Sequence, residues 1–195
     1  MSFTAPTILW AGLTPVVVIL GAAVLGVLLE AFVPRRARPV LQPALAILAI
    51  LGAGAGVVVR WRAVEAGVGA SLTTGFDEDP FGVAAQGVML VIGLLAVLVM
   101  ADRTTADDGA FAAQAADRPG SAEEAESLHA GWTGTEVFPL TLFSLGGMML
   151  FPLSSNLIAL FVMLELVSLP LYIMAAMARH RRLLSQEAAL KYFVL

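Results

Sequence analysis

The stretch "FVMLELVSLPLYIMAAMARHRRLLSQEAALKYFVL", residues 161–195, decides the fold class. Its first half is apolar enough to sit in lipid, yet it carries a glutamate, Glu165. A second apolar segment opens after a basic loop and carries a lysine, Lys191. Neither segment alternates with period two, which argues against a membrane β-barrel. A helix bonds its own backbone internally, which is what a hydrocarbon environment demands.

The rest of the chain has the same character. It is 59% hydrophobic and 13% charged, with a mean hydropathy of +0.88, where soluble domains carry about 25% charged residues. Crossing a hydrocarbon core of about 30 Å takes roughly 20 residues at helical rise. Five runs approach that length: Leu13–Val33, Val40–Val59, Phe81–Ala101, Val137–Leu153 and Leu157–Ala178. A sixth begins near Ser185, and "EAALKYFVL" has no stop signal, so it is expected to continue past Leu195. The first run lacks a basic residue before it, is long for a signal-peptide core and is followed by arginines, so it is read as a retained span. The fold class is therefore all-α and polytopic, with about six transmembrane helices present. Its expected divisions are residues 1–101 (three spans), 102–135 (a polar loop) and 136–195 (three further spans).

Basic residues set the orientation. Arg35, Arg36, Arg38, Arg103, Arg118, Arg179, Arg181 and Arg182 fall in loops that alternate onto one side; Arg60 and Arg62 fall on the other. The imbalance places the N-terminus outside and the three arginine-bearing loops in the cytoplasm. The loop "DRTTADDGAFAAQAADRPGSAEEAESLHAGWTG" is rich in Ala, Asp, Glu, Gly and Ser and has little to pack, so it is expected to be poorly ordered. A tolerated insertion is the plainer account of it than a docking site for an accessory partner.

Several motifs invite a chemical reading and do not sustain it. The chain has no cysteine, which removes disulfides, thiolate metal sites and iron–sulfur ligation. "LGAGAG" lacks the spacing of a nucleotide loop and lies within a span. Gly52 and Gly56 instead fit the small-xxx-small pattern of close helix packing; Gly146 and Gly147 also read as packing. His129 and His180 have no second ligand at metal spacing. Asp77, Glu78 and Asp79 read as solvated acids on the outer side, and Glu30 as an interfacial one.

Glu165 differs from these. It lies about nine residues, or about 13 Å, into its span. A carboxylate at that depth costs at least ~2.5 kcal/mol on insertion scales. It is therefore protonated or partnered, either by a cation or by a neighbour such as Ser168. Lys191 lies only about 9 Å into its segment and has Glu187 four residues earlier. Spacing alone leaves it open between a local pair with Glu187 and a partner for Glu165.

The motifs "LELVSLPLY" and "SQEAALKYFVL", within residues 135–195, resemble the antiporter-like subunit N of bacterial proton-translocating NADH–quinone oxidoreductase, respiratory complex I. The earlier residues agree in span layout, with weaker motifs. The resemblance implies about fourteen helices in two inverted repeats, of which this chain would hold the N-terminal portion. It implies that Glu165 and Lys191 form a charge pair on a proton path. NADH, FMN, iron–sulfur clusters and quinone would belong to other subunits, with no cofactor and no redox centre in this chain. The implied partners are other membrane subunits of the complex and the lipid bilayer of the bacterial cell membrane, with quinone acting indirectly and nucleic acid not at all. The rival readings are a subunit of a multisubunit cation/proton antiporter or membrane-bound hydrogenase, or a structural membrane anchor.

Overall fold

The computed structural model describes residues 8–67, 71–102, 111, 121–129, 134–178 and 182–194. The expectations for Arg103, Arg118, Arg179, His180 and Arg181 lie outside the described residues. Within them run α1 (Trp10–Phe32), α2 (Arg38–Glu65), a hairpin of β1 (Ser71–Thr73) and β2 (Phe76–Asp77), and α3 (Pro80–Ala101). There follow a short α4 (Ala122–His129), α5 (Val137–Leu150) with a 3₁₀ turn at Phe151–Leu153, α6 (Leu157–Ala175) and α7 (Arg182–Val194). Among the described residues, α1, α2, α3 and α6 are long and apolar enough to cross a membrane.

The helix boundaries follow local chemistry. Pro80 occupies the first turn of α3, where its missing N–H costs nothing, and Asp79 caps that turn by accepting from the Gly82 amide at 2.6 Å. Asn156 caps α6 by accepting from the Ala159 amide at 2.8 Å. At the other extreme, α2 runs six residues past the expected Val59, to Glu65, because Arg60 and Arg62 continue the helix rather than ending it.

Successive spans are antiparallel. Gly56 of α2 meets Pro15 near the start of α1, while Gln42 meets Gly26 near its end. On α5, Gly146 faces Leu20 of α1 and Pro139 faces Gly26. In lipid such contacts depend on close packing rather than on expelling water, so small residues gather where helices touch. A Cβ on Gly56 would stand 3.2 Å from the Pro15 ring, which bears out the packing reading of "LGAGAG".

The centre of the bundle is α5. Val137, Phe138, Leu142, Leu145 and Met149 are buried, together with Thr141 and Ser144. It packs against α1, α2, α3 and α6. With the 3₁₀ turn it spans Val137–Leu153, from the Thr135–Glu30 contact at one end of the bundle to the Ser155–Gly75 contact at the other, and its apolar character all round is that of a core helix.

Both ends of the bundle are tied by polar groups. At the end that holds the start of α1 the hairpin acts as a clasp: Leu72 accepts from the Leu9 amide, and Gly75 accepts from the Ser155 amide, each at 2.8 Å. Gly75 has φ +92°, and a Cβ there would lie 2.7 Å from Asn156 Nδ2, so the turn requires glycine. At the opposite end Glu30 accepts from Thr135 Oγ1 at 2.7 Å, Gln42 Nε2 at 2.9 Å and Arg38 at 3.5 Å. Glu30 thus lies at the end of α1 as expected for an interfacial acid, but fully engaged.

The solvated reading holds for only part of "FDED". Asp77 is exposed on β2 and Asp79 caps α3, but Glu78 is buried and ion-paired with Arg60. A hairpin folded over α2 brings this carboxyl to the guanidinium. Of the connection between α3 and α5, most lies outside the described residues, and the expectation of poor order lies there with it; Phe111 lies against the core and bridges Ala178. The described part of the connection includes α4, where His129 Nδ1 lies 2.7 Å from the Ala125 carbonyl.

Candidate functional site

The site is built on α6 where it crosses α5. Pro170 sits inside α6 and has no amide to offer the Leu166 carbonyl one turn earlier. The backbone at residues 166–167 is held from outside instead. Ser144 of α5, 1% exposed, donates its hydroxyl to the Val167 carbonyl at 2.5 Å. One turn along α5, Gly147 brings the two backbones together: a Cβ there would stand 3.0 Å from Val167 N and 3.2 Å from Leu166 C. Thr141 continues the same face, with its Oγ1 3.5 Å from Met174 Sδ and donating to the Val137 carbonyl at 2.7 Å.

Glu165 immediately precedes this crossing and is half-buried. Ser168 is not its partner, since that hydroxyl donates to the Leu164 carbonyl at 2.8 Å. Among the described residues no hydrogen bond or ion pair reaches the Glu165 carboxyl. Such a group in the middle of a span is the kind of acid that marks ion paths.

Lys191 stands on α7, whose start is fastened to the end of α6. Ser185 donates to the Ala175 carbonyl and accepts from the Ala178 amide. Higher up, the Tyr172 ring meets those of Tyr192 and Phe193 edge-on, with centroids 4.7 Å and 5.5 Å apart. These contacts make α6 and α7 antiparallel. Side chains lean toward their own helix N-terminus, so Glu165 and Lys191 lean apart. Lys191 Nζ lies 2.6 Å from Glu187, and the two side chains are 68% and 56% exposed. The local pair suggested by the spacing is thus present, and no ion pair with Glu165 accompanies it among the described residues.

The sequence reading did not find Ser144, Ser185, Gln42 or Gln86. Each is a polar residue at a buried position, with Gln86 donating to the Met149 carbonyl at 3.2 Å. A polar residue within an apolar run was the available signal for Ser144, Gln42 and Gln86, whereas Ser185 stands among polar neighbours. No group of three or more His, Cys, Asp or Glu suited to a metal occurs among the described residues.

The chain is 47% identical to NADH-quinone oxidoreductase subunit N of Beutenbergia cavernae over 203 residues, an alignment covering 100% of this chain and 38% of the relative. The corresponding subunit of Acidothermus cellulolyticus is also 47% identical, over 98% of this chain and 36% of its own length. The chain belongs to the subunit N family. It corresponds to the N-terminal part of those relatives and spans little more than a third of their length. No family model matches. Its fold is similar to that of a chain in respiratory complex I from Thermus thermophilus with bound aureothin, at a TM-score of 0.63 and 23% identity, over 92% of this chain and 32% of that one. With its four long apolar helices, the chain is a multi-pass membrane protein.

Proposed function

We propose that this chain serves as the N-terminal part of a membrane subunit of NADH–quinone oxidoreductase, and that Glu165 is an acid on its proton path. The observation carrying this reading is a carboxyl in the middle of α6, without a partner among the described residues, in a chain akin to subunit N along its whole length. Placement in the bacterial cell membrane, with the N-terminus outside, follows the arginine distribution.

The mechanism is electrostatic. Lys191 exchanges between Glu187 and Glu165 as α7 shifts against α6, so its charge moves toward or away from the path. Two unit charges roughly 6 Å apart interact by about 3 kcal/mol at an effective dielectric near 20. That corresponds to about a hundredfold change in the proton affinity of the next base along the path. Quinone reduction in other subunits supplies the energy. NADH, FMN, iron–sulfur clusters and quinone are bound by those subunits.

The exposed Lys191–Glu187 bridge favours a second reading for Lys191 alone, as a lysine of the helix surface. Proton uptake by inverted membrane vesicles carrying full-length variants in the assembled complex tests both. Glu165→Gln is expected to lower pumping by on the order of tenfold or more, and Lys191→Ala to lower it less. Undiminished pumping in Glu165→Gln would reject the assignment and leave the structural-anchor reading.

A further inference from the structure

Resting on the assignment of Glu165 to a proton path, we infer that Ser144 is a positioning residue for that carboxyl. It acts through the Val167 carbonyl, two residues beyond Glu165 and three before Pro170.

A proline inside a helix removes one backbone hydrogen bond, and its ring pushes against the carbonyl a turn earlier, so the helix bends or loosens there. In α6 that loosening falls at Leu166, directly after Glu165. A freed stretch of helix in lipid has no water to bond and must find a donor in a neighbouring helix. Ser144 supplies a donor beside the freed carbonyl, at Val167: the hydroxyl is buried, its 2.5 Å bond is to backbone rather than to a mobile side chain, and it comes from the central helix. Gly147 adds a second constraint by letting the α5 backbone touch Leu166 and Val167. Two contacts on successive turns of α5 therefore fix both height and rotation of α6 at the turn that carries Glu165. A single contact would leave α6 free to pivot about it.

The other hydroxyls of the region have different tasks. Ser168 bonds within its own helix and Thr141 within α5, so neither joins the two helices through backbone. Without Ser144 the Val167 carbonyl loses its cross-helix donor, and the Glu165 turn can rotate toward water.

The test uses the full-length protein in the assembled complex, in inverted vesicles, with Ser144→Ala and Ser144→Thr compared. An apolar carbodiimide, which reacts with protonated carboxyls in dry surroundings, is applied, and modification of Glu165 is read by peptide mass; Glu165→Gln serves as the blank. Ser144→Ala is expected to slow labelling and pumping about fivefold, the equivalent of one buried hydrogen bond. Ser144→Thr keeps the hydroxyl and is expected to stay within about twofold of the parent on the same scale. Labelling at the parent rate in Ser144→Ala would overturn the inference. So would equal loss in both variants, or failure of the complex to assemble in either, because packing would then account for Ser144. Labelling reports on Glu165 whether or not that residue pumps. If Glu165→Gln pumps normally while Ser144→Ala slows labelling, the functional assignment fails and the positioning role stands.

Discussion

Arg60 of α2 and Glu78, at the foot of the hairpin, meet through two hydrogen bonds, one of 3.0 Å from Arg60 Nε, and the Glu78 side chain is only 2% exposed. The pair anchors the hairpin onto α2 close to Gly12 of α1, where a Cβ would strike Leu72. Removing one partner of a shielded ion pair leaves an uncompensated charge and costs about 3–5 kcal/mol, whereas an apolar pair of similar volume can be nearly neutral. Glu78→Leu alone is therefore expected to lower stability by several kcal/mol, and the double variant Arg60→Met, Glu78→Leu by less than either single change. Thermal unfolding of the purified protein in detergent checks the order; a double variant less stable than both singles would refute it.

Gly147 and Gly54 make opposite predictions from the same substitution. A Cβ at Gly147 meets the Val167 and Leu166 backbone, which cannot swing aside, so Gly147→Ala is expected to cost about 1–3 kcal/mol by overpacking. Nothing lies within 4 Å of a Cβ at Gly54. Gly54→Ala is expected to be neutral or stabilising by up to about 1 kcal/mol, since alanine holds a helix better. Unfolding midpoints of the two variants should move in different directions.

Lys191 and Glu187 are joined across an exposed turn, a pair worth about 0.2–0.5 kcal/mol. Lys191→Ala and Glu187→Gln should each shift unfolding by no more than that. A larger loss of proton pumping in Lys191→Ala, measured on the same preparation, would then report on transport rather than on folding.

Glu136 supplies a pH dependence. Burial raises its affinity for protons above the ordinary carboxylate value of 4.5; Glu30 raises it further, and Arg38 and Arg35 act against both. The folded chain therefore keeps this proton to higher pH than the unfolded chain does. The contribution to stability is complete below the ordinary value and is lost as pH rises through the folded one. Glu136→Gln has no such proton to lose, so its unfolding temperature is expected to fall less across this window. Parallel curves for parent and variant from pH 4 to about pH 8 would refute the assignment.

The spans could be read from sequence because lipid imposes a length and a polarity that each run displays by itself. Glu165 stood out for the same reason, as a charge in the middle of an apolar run. What could not be read were pairings between distant residues. Glu78 looks like its neighbours Asp77 and Asp79 until Arg60, 18 residues back, is known to face it. Ser144 is one small polar residue among apolar ones until the Val167 carbonyl, on another helix and next to the one Pro170 leaves open, is known to face it. The edge-on meeting of Tyr172 with Tyr192 and Phe193 joins α6 to α7 across a separation in sequence that spacing alone does not bridge.

The bond from Thr135 to Glu30 joins positions 105 residues apart. It ties the start of α5 directly to the end of α1. The height of the central helix, and with it the level of Ser144 and Gly147 against the turn that carries Glu165, is thereby set from α1 as well as through the connection that carries Phe111.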